Sequence, residues 1–341
     1  MTGPLRIGVI GVGFGQQVHV PAFRADARCQ VVAICARTLD HAARVAEQLR
    51  VPQAYGDVRQ MLASGQMDAV SIAVPPVLQP ELVVAAAEAG KHVFCEKPLA
   101  ADVPAAERAL AAAEKSGVAH AVDFLFPEIP AWQQARSLLA AGTLGALRHA
   151  AVSWRVESYA CARGLDSWKM RSPEGGGTLN NFVSHSLYYL EWLLGPVTRI
   201  AARFTPRHAA GEARVDAWLE LASGCPVTLS VAADAFLGSG HRLEIYGEQG
   251  TLRLENRTAD YANGFALSVG TRATGAFSTQ TVEPVCEPDG RIGAASAIVR
   301  RFVDAVLSGS PVEPNLAHGL RVQHLMAAAR AADSSGAWQS A

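Results

Sequence analysis

Residues 5–16 read Leu-Arg-Ile-Gly-Val-Ile-Gly-Val-Gly-Phe-Gly-Gln, and the fold turns on how they are read. Leu5 to Ile10 is an apolar run of strand length, closed by Gly11 and Gly13. Gly11 permits a tight turn after the strand. Gly13 lets the backbone approach a pyrophosphate, which then meets the start of the next helix. Gln16 holds the place of the third glycine in the usual Gly-x-Gly-x-x-Gly, with Gly15 beside it to relieve the packing. A Gly-x-Gly pair alone is also compatible with a plain tight turn, so its weight comes from the residues downstream. Gly11, Gly13, Phe14, Gly15 and Gln16 are the expected dinucleotide contacts.

Downstream, strands and helices alternate regularly. Gln30–Cys35, Asp68–Val74, His92–Cys95 and Ala119–Phe124 read as further strands. Leu39–Leu49, Gln79–Ala89 and Pro104–Lys115 are Ala-rich stretches with apolar residues three and four apart, hence helices. Strands alternating with helices imply parallel strands joined by crossovers, a doubly wound α/β sheet. Near residue 124 the rhythm changes. A helix is expected at Ala131–Ala141, an alternating strand at Ala146–Glu157, and an aromatic helix at Leu179–Leu194 after the turn Gly175–Gly177. From Val197 to about Val285, strand-like runs separated by Ser223-Gly224 and Gln249-Gly250 predict a mostly antiparallel sheet. Helices at Ala294–Leu307 and Leu316–Ala332 close the chain, and the last residues read as frayed. The expected division is a Rossmann domain at 1–123 and an α+β domain at 124–341, with the last helices able to pack back on the first domain.

Composition limits the partners. The 341 residues carry a net charge of -1, so nothing draws the chain broadly to nucleic acid or an anionic membrane. Half the residues are hydrophobic, which supports a large core, yet no apolar run approaches the roughly 20 residues of a membrane helix. No signal pattern opens the sequence, so a cytoplasmic location is expected. Cys29, Cys35, Cys95, Cys161, Cys225 and Cys286 are scattered without a Cys-x-x-Cys pair. They read as reduced thiols, with no metal expected. The partner is a small molecule.

The second strand ends Cys35-Ala36-Arg37-Thr38. An acid here would bind the ribose 2'-hydroxyl of NAD, and none is present. Arg37, flanked by Thr38, suits a 2'-phosphate, so NADP(H) is favoured and NAD(H) stays possible. Arg37 stacked on adenine, or simply solvated, is the alternative.

His92 to Leu99 reads His-Val-Phe-Cys-Glu-Lys-Pro-Leu, a strand ending in Glu-Lys-Pro at the edge where open α/β sheets bind ligands. Together with the glycine turn, His19-Val20-Pro21-Ala22-Phe23, Val74-Pro75-Pro76, Ala89-Gly90-Lys91-His92, Ala140–Gly145, Trp168-Lys169 and Gly175–Gly177, this ordered set resembles the Gfo/Idh/MocA oxidoreductase family across nearly the whole chain. The resemblance implies a substrate domain with a large open sheet, and a homodimer or homotetramer built through it. It implies hydride transfer between a nicotinamide and a carbon bearing hydroxyl or carbonyl, on sugars, polyols or nucleotide-linked sugars. It places Lys97 in the active site, where an ammonium can donate to a developing alkoxide and relay a proton. Glu96 supports it, and Val74, Pro75 and Gln79 are expected beside the cofactor, Gln79 without a catalytic role.

The resemblance also exposes departures. In the segment after the triple glycine, Asn181 stands where the family often carries aspartate, and His185 matches the family's histidine. At a spacing of four, Asn181 and His185 are expected on one helix face. Asn181 can hydrogen-bond a substrate hydroxyl but cannot take its proton. Proton transfer then falls to Lys97 or His185, the latter expected neutral at pH 7 for want of a neighbouring carboxylate. Tyr159 and Tyr188 are alternatives. Asp123, Arg155, Glu157 and Trp168 are expected substrate contacts, with Arg155 and Glu157 on one strand face and Trp154 on the other. Two other readings stay open: redox-neutral chemistry with tightly held cofactor, and a cofactor-binding sensor that has lost catalysis.

Overall fold

The computed structural model describes residues 3–207, 211–283, 287 and 289–341. The chain forms two compact units. One comprises Met1–Leu125 and Arg291–Gln323, the other Phe126–Gly290 and His324–Ala341. Among the described residues no helix is long and apolar enough to cross a membrane.

The first unit holds β1 (Leu5–Ile10), β2 (Cys29–Cys35), β3 (Gln53–Tyr55), β4 (Ala69–Ile72), β5 (His92–Cys95) and β6 (His120–Val122). All pair in parallel, in the order β3-β2-β1-β4-β5-β6, the strand order of a Rossmann sheet. Its connections carry α1 (Val20–Arg24), α2 (Leu39–Leu49), α3 (Val58–Ala63), α4 (Gln79–Glu88) and α5 (Val103–Ser116). Side-chain caps fix where three of these start: Thr38, Asp57 and Asp102 accept from the amides of His41, Arg59 and Ala105. β3 and α3, only three and six residues long, were not expected from the sequence. The strand expected at Asp68–Val74 is confined to Ala69–Ile72, because the chain turns away at Ala73.

The second unit is built on nine strands: β7 (Leu147–Arg155), β8 (Val197–Arg207), β9 (Gly211–Leu221), β10 (Pro226–Ala232), β11 (Gly240–Gly247), β12 (Gly250–Asn256), β13 (Ala266–Thr271), β14 (Phe277–Thr279) and β15 (Gln339–Ser340). Their order is β14-β13-β12-β11-β7-β10-β9-β8-β15. Only the central β7–β10 pair is parallel, so the sheet is mostly antiparallel. Alternation sorts its faces. Val152, Trp154, Leu219, Leu229, Leu243, Ile245, Leu252 and Leu254 are buried. The opposite face carries cross-strand ion pairs such as Arg253–Glu244 at 2.9 Å and Arg242–Glu255. With this sheet go α6 (Pro130–Ala140), the short α7 (Tyr159–Ala162) and α8 (Ser184–Leu194), the last preceded by a π-type turn at Leu179–Val183.

The remaining helices are α9 (Gly290–Ser308) and α10 (Leu316–Ser335). In the first unit, Phe302 of α9 packs edge-to-face on Phe23 and Phe94, at 6.3 and 5.8 Å between ring centroids. Nearby, the Gln323 amide donates to Ala100 O at 2.7 Å. The C-terminus is not frayed. Gln339 and Ser340 pair with Ile200 and Arg199 on β8, and Trp338 lies under the Arg199 guanidinium. An unpaired sheet edge and an aromatic anchor order these polar residues.

Candidate active site

In the first unit, the edge of the sheet at the strands' carboxyl ends gathers the residues read as cofactor contacts. Gly11 has φ +99°, and a Cβ on it would meet the carbonyl oxygen of Ala73 at 2.2 Å. Both backbone conformation and close approach demand glycine. A Cβ on Gly13 would meet nothing within 4 Å, so the turn offers exposed backbone with open space beside it, as a bound pyrophosphate requires. Gly15 is buried, its Cβ position 3.0 Å from Val9 and 3.3 Å from Ala73, so it serves the helix-on-strand packing. Phe14 packs against His19 at 5.3 Å and lies under the Arg291 guanidinium. Gln16, Val74 and Pro75 are half-buried at the same edge, Arg37 is exposed, and Thr38 caps α2.

Glu96-Lys97-Pro98 follows β5 directly, with a cis Lys97–Pro98 bond. The Glu96 carboxylate accepts from the Lys97 amide at 3.0 Å. Gln79, read as a cofactor neighbour, is completely buried and offers no surface to a ligand. Its amide donates to Glu96 O at 3.1 Å and Pro98 O at 2.6 Å, so it braces the loop that carries Lys97.

Asp123 also differs from its expected role as a substrate contact. It is 1% exposed and its carboxylate lies 3.3 Å from His19 Nε2, inside the unit and off any surface open to a sugar. The same nitrogen is 3.3 Å from Glu96, and His19 Nδ1 is 2.7 Å from Ser71 Oγ. Burial opposes a charge on this ring, but the bonds and charges of Asp123 and Glu96 outweigh it and push the imidazole up to about 9. Burial, with Glu96 adding, pushes the Asp123 carboxyl up to about 6 against the pull of His19. His19, Glu96 and Asp123 place ligand-type atoms within 4.8 Å of one another, a donor set that would also accept a cation. In the sequence His19 stands only inside a motif, and nothing there marks its burial beside three strand ends.

In the second unit, the triple glycine packs against the Trp168-Lys169 turn. A Cβ on Gly176 would meet Trp168 O at 2.2 Å. Glu212 secures the start of the following helix: its carboxylate accepts from Leu179 N at 2.7 Å, and Thr178 Oγ donates to Ala213 O at 2.8 Å. Asn181 lies in the π-type turn, and its amide nitrogen donates to Lys169 O at 2.9 Å and Gly177 O at 2.8 Å. The group expected on a substrate hydroxyl is thus engaged in holding this loop. His185, in the first turn of α8, is 4% exposed and sits edge-on to Phe126 at 5.0 Å, near Trp154. Arg155 projects from the other face of β7, where its guanidinium donates to Ser153 and Ser230. The two-residue period of the strand therefore separates Arg155 from the His185 side. Glu157 is exposed beyond the end of β7, and Trp168 is half-buried in the loop that Asn181 holds. The five cysteines among the described residues are in no disulfide; Cys286 lies outside them.

Comparison with known proteins agrees on both units. Residues 5–124 match the family "Oxidoreductase family, NAD-binding Rossmann fold", and residues 132–253 match the "GFO/IDH/MocA C-terminal domain". An uncharacterized oxidoreductase of Synechocystis sp. is 34% identical over 98% of this chain and 95% of its own. A D-xylose 1-dehydrogenase (NADP(+)) of Haloferax volcanii is 28% identical over 82% of this chain and 84% of its own. Levoglucosan dehydrogenase in complex with NADH and levoglucosan superposes with a TM-score of 0.90 at 21% identity, covering 99% of each chain, which establishes a shared fold.

Proposed function

The chain belongs to the Gfo/Idh/MocA family of NAD-binding oxidoreductases, and from that premise we propose an NADP(H)-preferring enzyme acting on a secondary alcohol or ketone of a sugar, polyol or nucleotide-linked sugar. One observation carries this reading: Lys97 is the second residue past β5, at the same sheet edge as the open Gly11–Gly13 turn. Relatives named for D-xylose and for dTDP-linked dideoxy sugars support the substrate class. When bound, the nicotinamide supplies or accepts the hydride. Gly11 and Gly13 receive the pyrophosphate, and Arg37, with no acid at Ala36, pairs with the 2'-phosphate. Lys97 donates a hydrogen bond to the reacting oxygen and stabilises its developing charge. His185 is the second proton carrier, Trp168 a wall of the sugar site, and Asn181 positions the loop that carries Trp168. Cysteines outside any disulfide among the described residues accord with a cytoplasmic enzyme, and exposed Trp218 and Phe277 on the second unit's sheet accord with a homo-oligomer.

The test is a panel of D-xylose, levoglucosan, glucosides and dTDP-sugars, assayed with NADP+ and NAD+ and with the reduced cofactors. Hydride transfer to or from at least one sugar is expected, with NADP(H) the better partner and Arg37→Ala abolishing that preference. Lys97→Met should lower turnover about 100-fold or more, with the cofactor Kd nearly unchanged. Turnover close to wild type in that variant removes Lys97 from the chemistry.

A further inference from the structure

We propose that His19 is a positioning residue: held between Glu96 and Asp123, it fixes the Glu96 carboxylate that in turn holds the main chain of Lys97. The inference rests on the reading of Lys97 as the working ammonium.

The geometry is a relay through four chain segments. His19 stands in the helical stretch after β1, Ser71 on β4, Glu96 after β5 and Asp123 after β6. The ring is fully buried, edge-on to Phe14 at 5.3 Å and Phe94 at 5.1 Å, so it has no freedom to turn. Ser71 takes Nδ1 at 2.7 Å. Nε2 is thereby aimed at the two carboxylates, 3.3 Å from each. Glu96 divides its oxygens: Oε1 faces His19 and Oε2 accepts from the Lys97 amide at 3.0 Å. A carboxylate free to rotate would release that amide, and a buried carboxylate without its cation would be driven to take up a proton. The relay therefore sets the direction in which the chain leaves Glu96, and with it the station of the Lys97 side chain. Gln79 braces the same loop through the carbonyls of Glu96 and Pro98, independently of His19. Replacing His19 should therefore shift the loop without unravelling it.

The sequence makes a direct test possible, because it contains only four lysines: Lys91, Lys97, Lys115 and Lys169. Reductive methylation of the full-length protein with 13C-formaldehyde gives each a resolvable NMR signal, assigned by single Lys→Arg variants. In the wild type the Lys97 signal should stand apart from the other three. His19→Gln should move it towards the others and leave Lys91, Lys115 and Lys169 in place. Ser71→Ala, a milder change at the other end of the relay, should shift Lys97 in the same direction and covers the case that His19→Gln does not fold. A Lys97 signal that coincides with the others in the wild type, or that neither variant moves, overturns the proposal. So does one equivalent of divalent metal in the purified chain that His19→Gln loses, since the three side chains would then serve a metal. Lys97→Met turnover separately tests whether that lysine is catalytic, so the two readings fail independently.

Discussion

Asn181 gives hydrogens to the carbonyls of Lys169 and Gly177, a task for which a carboxylate has nothing to offer at neutral pH. Asn181→Asp should therefore cost about 1–2 kcal/mol, by removing one of the two hydrogen bonds that each carbonyl accepts and setting a negative charge against them. Urea unfolding and proteolysis within residues 168–177 check this; an unchanged midpoint and unchanged cleavage count against it. The departure from the family's aspartate was legible in the sequence, but the bonds it makes were not, because the carbonyls it reaches belong to a loop placed by folding. His19 makes a second prediction at this scale. Its proton, held up to about 9 in the native protein and released near 6.5 in the unfolded chain, is an extra native-state proton between those values. Its stabilising contribution is complete below about pH 6.5 and is lost as pH rises through about 9. The difference in Tm between wild type and His19→Gln should narrow from pH 6.5 to 9.5, with Ser71, Glu96 and Asp123 as the polar groups facing the ring. A difference that stays constant or widens would contradict this.

Among the elements, the glycine turn after β1 is the least tolerant. Gly11→Ala combines an unfavourable φ of +99° with a backbone oxygen 2.2 Å from the new carbon. The strain is about 1–3 kcal/mol before any shift of the turn. Titration with NADPH should show affinity reduced at least about 10-fold, together with a lower Tm. An unchanged affinity would separate this turn from cofactor binding. Elements of this kind were readable from sequence because local rules sufficed: Thr38 caps a run in which Ala42, Val45 and Ala46 share a face, and α2 covers the expected Leu39–Leu49. β3 was not readable, since its three half-buried residues have no period to detect, and neither was the single turn and a half of α3. The π-type turn at Leu179–Val183 is a matter of backbone bonding that side chains do not announce. The cluster around His19 escaped for a further reason: its members meet only once the parallel order β1-β4-β5-β6 exists.

At the scale of the whole molecule, the core of the Rossmann unit draws on two distant parts of the chain. Ile298, Val299, Phe302 and Val303 of α9 belong to the same buried cluster as Leu5, Ile7, Phe23 and Phe94. Phe302→Ala should cost about 3–5 kcal/mol, felt first in this unit, and added NADPH should restore part of the loss. Calorimetry with and without cofactor reads both effects; a variant as stable as the wild type would show the aromatic trio to be dispensable. The discontinuity also has a consequence for biosynthesis. A ribosome that has released the first 125 residues has released every strand of the Rossmann sheet, but not the aromatic plug that closes their core. The segment translated first must wait for residues 291–323, and until they emerge it presents Phe23 and Phe94 to any chaperone at the exit tunnel.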